Sequence, residues 1–325
     1  MRTLKLVYRF GRGLLRLASD TFYDLFQYVR WSPLSGPPRS ACHLDAYVTM
    51  NYHRLEKGLS FRDPRPRFGR ATIDELIDQL RQGERFGERL PAKVALSTLA
   101  SYQEAQEPNA RYDKLAAFLD DRPRPADGDL PEEPIGGSKV VTRDEIQASA
   151  LRDLTAFFRS RHSVRDFDDR DVDMELIERA VDMARFTPSV CNRQATRAHV
   201  LSSTEDKQAA LSLQNGNRGF SEQIDKVIVV TSDVRSFVSS GERYQSWIDG
   251  GMFAMSLVYA LHSLGLGTCC LNWSVDWFTD RRLRRAISLP PYERVIMLIA
   301  VGHLPERLRV ARSTRVPVED IVVAH

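Results

Sequence analysis

Eighteen consecutive residues, Asp120 to Gly137 (DDRPRPADGDLPEEPIGG), contain four prolines, three glycines and six acidic side chains. Such a run cannot bury an apolar face, and its prolines interrupt helix and sheet hydrogen bonding alike. It therefore divides the chain. The division predicts a first region over 1–119, a linker over 120–143 and a second region over 144–325. A length of 325 residues suits two regions better than one continuous core.

Hydrophobic content of 42% and charged content of 27% describe a globular chain. A net charge of +3 gives no concentrated basic field, so nucleic acid is not an expected partner. Cys42, Cys191, Cys269 and Cys270 form no CxxC pair, and no metal site is expected. No signal-peptide core follows the basic start, and runs such as Val295 to Val301 fall far short of a membrane span. The expected compartment is the cytoplasm.

The first region reads as helical. Val7, Phe10, Leu14, Leu17, Leu25 and Tyr28 recur at helix spacing beside Arg2, Lys5, Arg9, Arg12 and Arg16. A basic amphipathic segment over residues 1–31 has two uses: peripheral contact with an anionic membrane, or packing on the domain or a partner subunit. Packing is the commoner one. Further helices are predicted over 71–82 and 92–106. His53, Glu56 and Lys57 share a helix face, which suits a structural ion pair better than a metal site.

After the linker the pattern mixes the two periods, which predicts an α+β fold. Helices are expected over 145–160, 174–185, 247–264 and 279–287, and strands over 197–202, 226–231, 268–272 and 294–301. The last two strands are short apolar runs that suit buried central positions.

Four stretches carry chemistry. In Arg161-His162-Ser163-Val164-Arg165 an extended backbone puts Arg161, Ser163 and Arg165 on one side, two guanidinium groups and a hydroxyl suited to a terminal phosphate. Alone, this is as readily an exposed basic strand. Pro188 stops the preceding helix, so Ser189, Asn192 and Gln194 of PSVCNRQ lie on a loop. Amides there pair with both donor and acceptor edges of a heterocycle, or simply satisfy a polar turn. Cys191 in that loop reads as a small buried side chain before a catalytic one. Asp249-Gly250-Gly251 opens an apolar helix that ends at Gly265-Leu266-Gly267 before a strand, the wrong order for a dinucleotide fingerprint. Arg312 and Arg315 precede Pro317-Val318-Glu319-Asp320-Ile321 and either return to the phosphate or lie in a solvated tail.

In this order, RHSVR, PSVCNRQ, DGG with GLGTCC, and RVPVEDI resemble the nitroreductase family, a resemblance that covers about half the chain. It implies flavin mononucleotide (FMN) as cofactor, held at the interface of a homodimer. Arg161, Ser163 and Arg165 would hold the phosphate and ribityl chain, with Arg315 and Arg312 closing on the phosphate. Ser189 and Asn192 would line the flavin, Gln194 its pyrimidine edge, and Cys270, Leu271, Asn272 and Trp273 the isoalloxazine. No side chain is expected to be catalytic. The implied reaction is ping-pong transfer of two electrons from NAD(P)H to an organic acceptor.

The chain departs from the family pattern at Ala195-Thr196 and Asn272-Trp273, which leaves other readings open. One is a dehydrogenase or oxidase of the same fold acting on a biosynthetic intermediate. Another is a non-catalytic module that binds a partner or membrane. The N-terminal extension loosely resembles nitroreductase-like proteins that accompany bacterial polysaccharide biosynthesis.

Overall fold

The computed structural model describes residues 2–59, 67–87, 89–105, 112–121, 135–138, 153–308, 310 and 317–325. Most of the 120–143 segment and the start of the helix expected from residue 145 lie outside them. The helices described are α1 (Arg2–Trp31), α2 (Ala41–Leu59), α3 (Arg70–Gly83), α4 (Leu90–Glu104), α5 (Asp113–Asp120) and α6 (Leu154–Ser160). They are followed by α7 (Met174–Ala184), α8 (Thr204–Leu211), α9 (Gln245–Ser263) and α10 (Trp277–Ala286). Strands β1 (Thr196–Leu201), β2 (Lys226–Asp233), β3 (Leu266–Asn272) and β4 (Glu293–His303) form one antiparallel sheet in the order β1-β2-β4-β3. The fold is α+β, with the sheet confined to the second half of the chain.

The central strands are β2 and β4, and every residue of β2 is buried. Their side chains alternate between two cores. On one face Val227, Val229, Leu298 and Ala300 pack with Leu211, Phe220, Ile224 and Leu283. On the other, Ile228, Val230, Ile299 and Val301 meet α7 through Ile177 and Ala180, and α9 through Phe253, Leu257, Val258 and Leu261. Both faces are covered, which explains why β2 and β4 read as continuous apolar runs although the sheet is antiparallel. Strand β3 corrects the expectation of a central position: it is the sheet's edge, and its apolar character comes from Cys269 and Leu271 facing one core and Leu266 the other.

Helix α9 lies unusually close to the sheet. A Cβ at Gly250 would come within 2.5 Å of Ile296 Cγ1, so the absent side chain at this position permits the approach. Helices α2 to α5 enclose a separate cluster built on Leu55, Ile73, Leu76, Ile77, Leu99, Tyr102 and Leu115. Helix α1 instead seats its second half on the sheet region. Tyr23 donates to Asp280 Oδ2 (3.0 Å), Trp277 N–H to Asp20 Oδ1 (3.0 Å) and Tyr28 to the Ser239 carbonyl (2.6 Å). Asp280 also receives bonds from Trp273 and Arg284, so one carboxylate joins α1, the end of β3 and α10.

Gly250→Ala should destabilise the protein by about 1–3 kcal/mol through overpacking against Ile296, read as a lower denaturant midpoint at unchanged slope. A second expectation concerns Glu293. Burial pushes its carboxyl up, but hydrogen bonds from His199 (2.6 Å) and Thr231 (2.6 Å) outweigh burial and hold it below its ordinary value. Its stabilising contribution is therefore present above the unfolded-state pKa of about 4.3 and is lost as pH falls through the lower folded value. Glu293→Gln should flatten that part of the acid stability profile in pH-dependent urea unfolding.

Candidate functional site

The RHSVR segment leaves α6 in extended conformation and runs beside the open edge of β3. Ser163 bridges to Thr268 in parallel, with Val164 N–H donating to the Thr268 carbonyl (2.8 Å). Val164 turns into the core, Arg161 and Ser163 are half-buried, and His162 and Arg165 are exposed. A side chain at Gly267 would collide with Leu304 and press on Val164, so a glycine is what lets the segment lie so near. Both guanidiniums act on β3. Burial raises the pKa of the Cys269 thiol, and Arg165 and Arg161 pull it the other way.

Beside this segment is a groove of about 290 Å³ lined by Ser160, His162, His262, Thr268, Leu304 and Leu308 among others. His262 Nε2 lies 2.8 Å from Ser160 Oγ. Burial lowers its pKa, and the charges of Arg161 and His162 add to the effect. The groove thus sets a half-buried imidazole beside the Arg161 guanidinium. The remaining β3 residues divide by face: Leu271 and Trp273 are buried, whereas Cys270 and Asn272 are exposed. Asn272 is held by Gln214, whose amide donates to its carbonyl (3.2 Å) and side-chain oxygen (3.4 Å).

The PSVCNRQ loop sits at the opposite edge, just before β1. Cys191, Asn192 and Gln194 adopt φ values of 50°, 52° and 50°, a left-handed conformation that costs non-glycine residues on the order of 1–3 kcal/mol each. Cys191 is half-buried there and is a turn residue, not a core one. What holds the loop is Arg193. Its guanidinium is buried, donates to the Ser236 carbonyl (2.6 Å), pairs with Glu242 and lies over the Phe237 ring. The second anchor is Asp249, which accepts from Val190 N–H (3.1 Å) and from Gln245 (2.7 Å). With Arg193 turned inward, Asn192 and Gln194 are turned out and exposed. Ser189 Oγ accepts from Gln194 N–H (3.0 Å), and Ser189, Gln194, Arg197, Asp249 and Phe253 line a pocket of about 270 Å³.

Within one chain the two clusters do not meet. The loop is tied to Asp249 in the first turns of α9, and RHSVR lies near His262 in its last turn. Thirteen residues of helix separate them by about 20 Å. Arg312 and Arg315 lie outside the described residues. Among the described residues, no group of three or more His, Cys, Asp or Glu side chains could hold a metal ion. His53 Nδ1 lies 3.3 Å from Glu56 Oε2, within hydrogen-bond distance.

Arg193, Asp249, Glu242 and Gln214 gained no role from sequence. Asp249 stood inside a motif that offered no partner. Arg193 looked like one more surface arginine, because nothing local announces a carboxylate forty-nine residues away.

The model of the nitroreductase family matches residues 158–214 and 205–303, which include RHSVR, PSVCNRQ, DGG and GLGTCC. No curated protein matches the chain. Among solved structures, a nitroreductase family protein from Streptococcus pneumoniae is 21% identical, with 53% of this chain and 100% of that one covered and a TM-score of 0.45. An FMN-dependent nitroreductase from Clostridium difficile is 18% identical over 53% and 99%, with a TM-score of 0.46. A Desulfovibrio desulfuricans protein solved in complex with FMN is 20% identical over 54% and 98%, with a TM-score of 0.47.

Asp249→Ala strands the Val190 N–H and frees the loop. The cost should be about 1–3 kcal/mol, with faster amide exchange over 190–194 than over β2 in the same protein.

Proposed function

We propose that residues 144–325 form a flavin-binding oxidoreductase domain that takes FMN and moves two electrons from NAD(P)H to an organic acceptor. The observation that carries the reading is the Ser163–Thr268 bridge. It aligns Arg161, Ser163 and Arg165 along β3 inside the segment that the nitroreductase family model matches.

The residues suit the cofactor. Arg165 is exposed and its one described hydrogen bond is a long one, 3.4 Å to the Ser163 carbonyl, so its donors remain available to a phosphate. Asn192 and Gln194 present amides outward from a loop fixed by Arg193 and Asp249, and amides serve both edges of a pyrimidine ring. Cys270 and Asn272 are exposed on β3 where a planar ring can rest. The proposed set is Arg161, Ser163, Arg165, Ser189, Asn192, Gln194, Cys270 and Asn272, with Leu271 and Trp273, whose side chains are buried in the core, offering backbone groups alone, and Arg312 and Arg315 as the closing basic pair. When bound, FMN would supply the two-electron chemistry, and the protein supplies binding, orientation and exclusion of competing reactions.

The distance along α9 supports a homodimer, in which one chain supplies the arginines and the other the amide loop. The outer side of α9 suits such an interface, since Tyr244, Ile248 and Met252 are exposed at four-residue spacing. No dinucleotide fingerprint is present in the sequence, so the donor and the acceptor use the same open pocket in turn, which is ping-pong kinetics. The proposed compartment is the cytoplasm, where the four free thiols stay reduced.

Anaerobic titration with NADH and with NADPH tests the reaction: the visible flavin absorption should bleach, and added acceptor should restore it. A protein that stays colourless after FMN is added would overturn the reading. Arg165→Ala should weaken FMN binding by about 1.5–3 kcal/mol in fluorescence titration, and unchanged affinity would move the phosphate site elsewhere.

A further inference from the structure

Helix α1 is 30 residues and about 45 Å long, and its described hydrogen bonds to the rest of the protein come from its second half. Asp20, Tyr23 and Tyr28, together with Gln27 and Trp31, recur at three- and four-residue spacing and turn toward the sheet region. The opposite side carries Tyr8, Leu15, Phe22 and Val29, seven residues apart and therefore in one line, flanked by Leu14, Leu25 and Phe26. Exposure of these seven runs from 48% to 75%, an uncommonly long apolar strip to leave in water.

Charge says what covers the strip. Residues 2–19 contain five basic side chains and no Asp or Glu. Of the basic residues, Arg9, Arg12 and Arg16 share one exposed side of the helix, away from the apolar line. Between α1 and α10 there is also an open cleft of about 600 Å³. It is lined by Arg30, Arg281, Arg284 and Arg285, with the aromatic rings of Phe22, Phe26, Trp31 and Trp277, and no carboxylate is part of its lining. Arg284 is engaged by Asp280, while Arg281 and Arg285 are exposed. Phe22 and Phe26 belong to both the strip and the cleft, so the two surfaces are continuous.

We propose that α1 lies in the plane of an anionic membrane surface. Its apolar line enters the headgroup boundary, and the Arg30, Arg281 and Arg285 cleft receives lipid phosphate beside it. An aqueous partner helix would bury the strip but gives no reason for a run of bases without one acid, whereas anionic headgroups satisfy both features. No described helix is long and apolar enough to cross a membrane, so the contact is peripheral. The placement does not depend on which electron acceptor the sheet region serves.

Flotation of the full-length protein with phosphatidylcholine vesicles, alone or mixed with phosphatidylglycerol, tests the proposal. Binding should be at least about tenfold stronger to the anionic vesicles and should fall away near 0.5 M salt, where the Debye length is only about 4 Å. Leu15→Glu with Phe22→Glu should abolish it. Arg281→Glu with Arg285→Glu should lower it about tenfold or more at low salt. All four positions are exposed, or line the open cleft, and thermal melting with flavin content checks that the variants fold. The proposal is overturned by equal recovery with both vesicle types, or by no flotation with either. It is equally overturned if Leu15→Glu with Phe22→Glu leaves flotation unchanged or alters only the sedimentation-velocity mass, which would assign the strip to a second copy of this chain.

Discussion

The close seat of α9 on β4 organises the second half of the molecule. At Gly250 the helix axis can approach until Ile296 fills the space where a side chain would stand. From that contact the helix crosses the sheet on one face, with Phe253, Leu257 and Leu261 buried along it. Its first turns fix Asp249 under the PSVCNRQ loop, and its last turn brings His262 against Ser160 at the start of RHSVR. Two polar clusters that are remote in sequence and far apart in space thus depend on one rigid element. A shift of the helix would move both together.

A second carboxylate does for the N-terminal helix what Asp249 does for the loop. Asp280 gathers Tyr23, Trp273 and Arg284, which belong to three different elements. Nearby, Arg294 is buried against Trp247 and reaches the Asp24 carbonyl at 3.3 Å. Burial lowers the pKa of this guanidinium and raises that of Asp24, a pairing that is favourable only while α1 stays docked. The end of β3, which leads into Trp273, is therefore coupled to the second half of α1.

Periodicity made the elements legible. The four strands and the helices at 174–184, 245–263 and 277–286 lie within two residues of the bounds expected from apolar spacing and turn residues. For RHSVR the sequence showed only what an extended backbone would do with Arg161, Ser163 and Arg165, and the bridge from Ser163 to Thr268 supplies that backbone. Strand order was not legible. An apolar run such as β3 looks alike whether strands or a glycine-assisted neighbour such as Val164 cover it, and only tertiary contact separates the two. Buried ion pairs were equally silent, since Arg193 and Glu242 are ordinary surface residue types until the fold encloses one of them.

The handling of Arg193 has a consequence for how portable this loop is. Its neighbours Cys191, Asn192 and Gln194 occupy backbone conformations that they would leave in a free peptide. Besides Asp249, the restraint comes from Glu242, the Ser236 carbonyl and the Phe237 ring, all on a segment with no chemistry of its own. The seven letters PSVCNRQ are thus half of a device whose other half is written at 236–242. Grafted alone onto another scaffold, they would relax, and the outward amides would lose their aim.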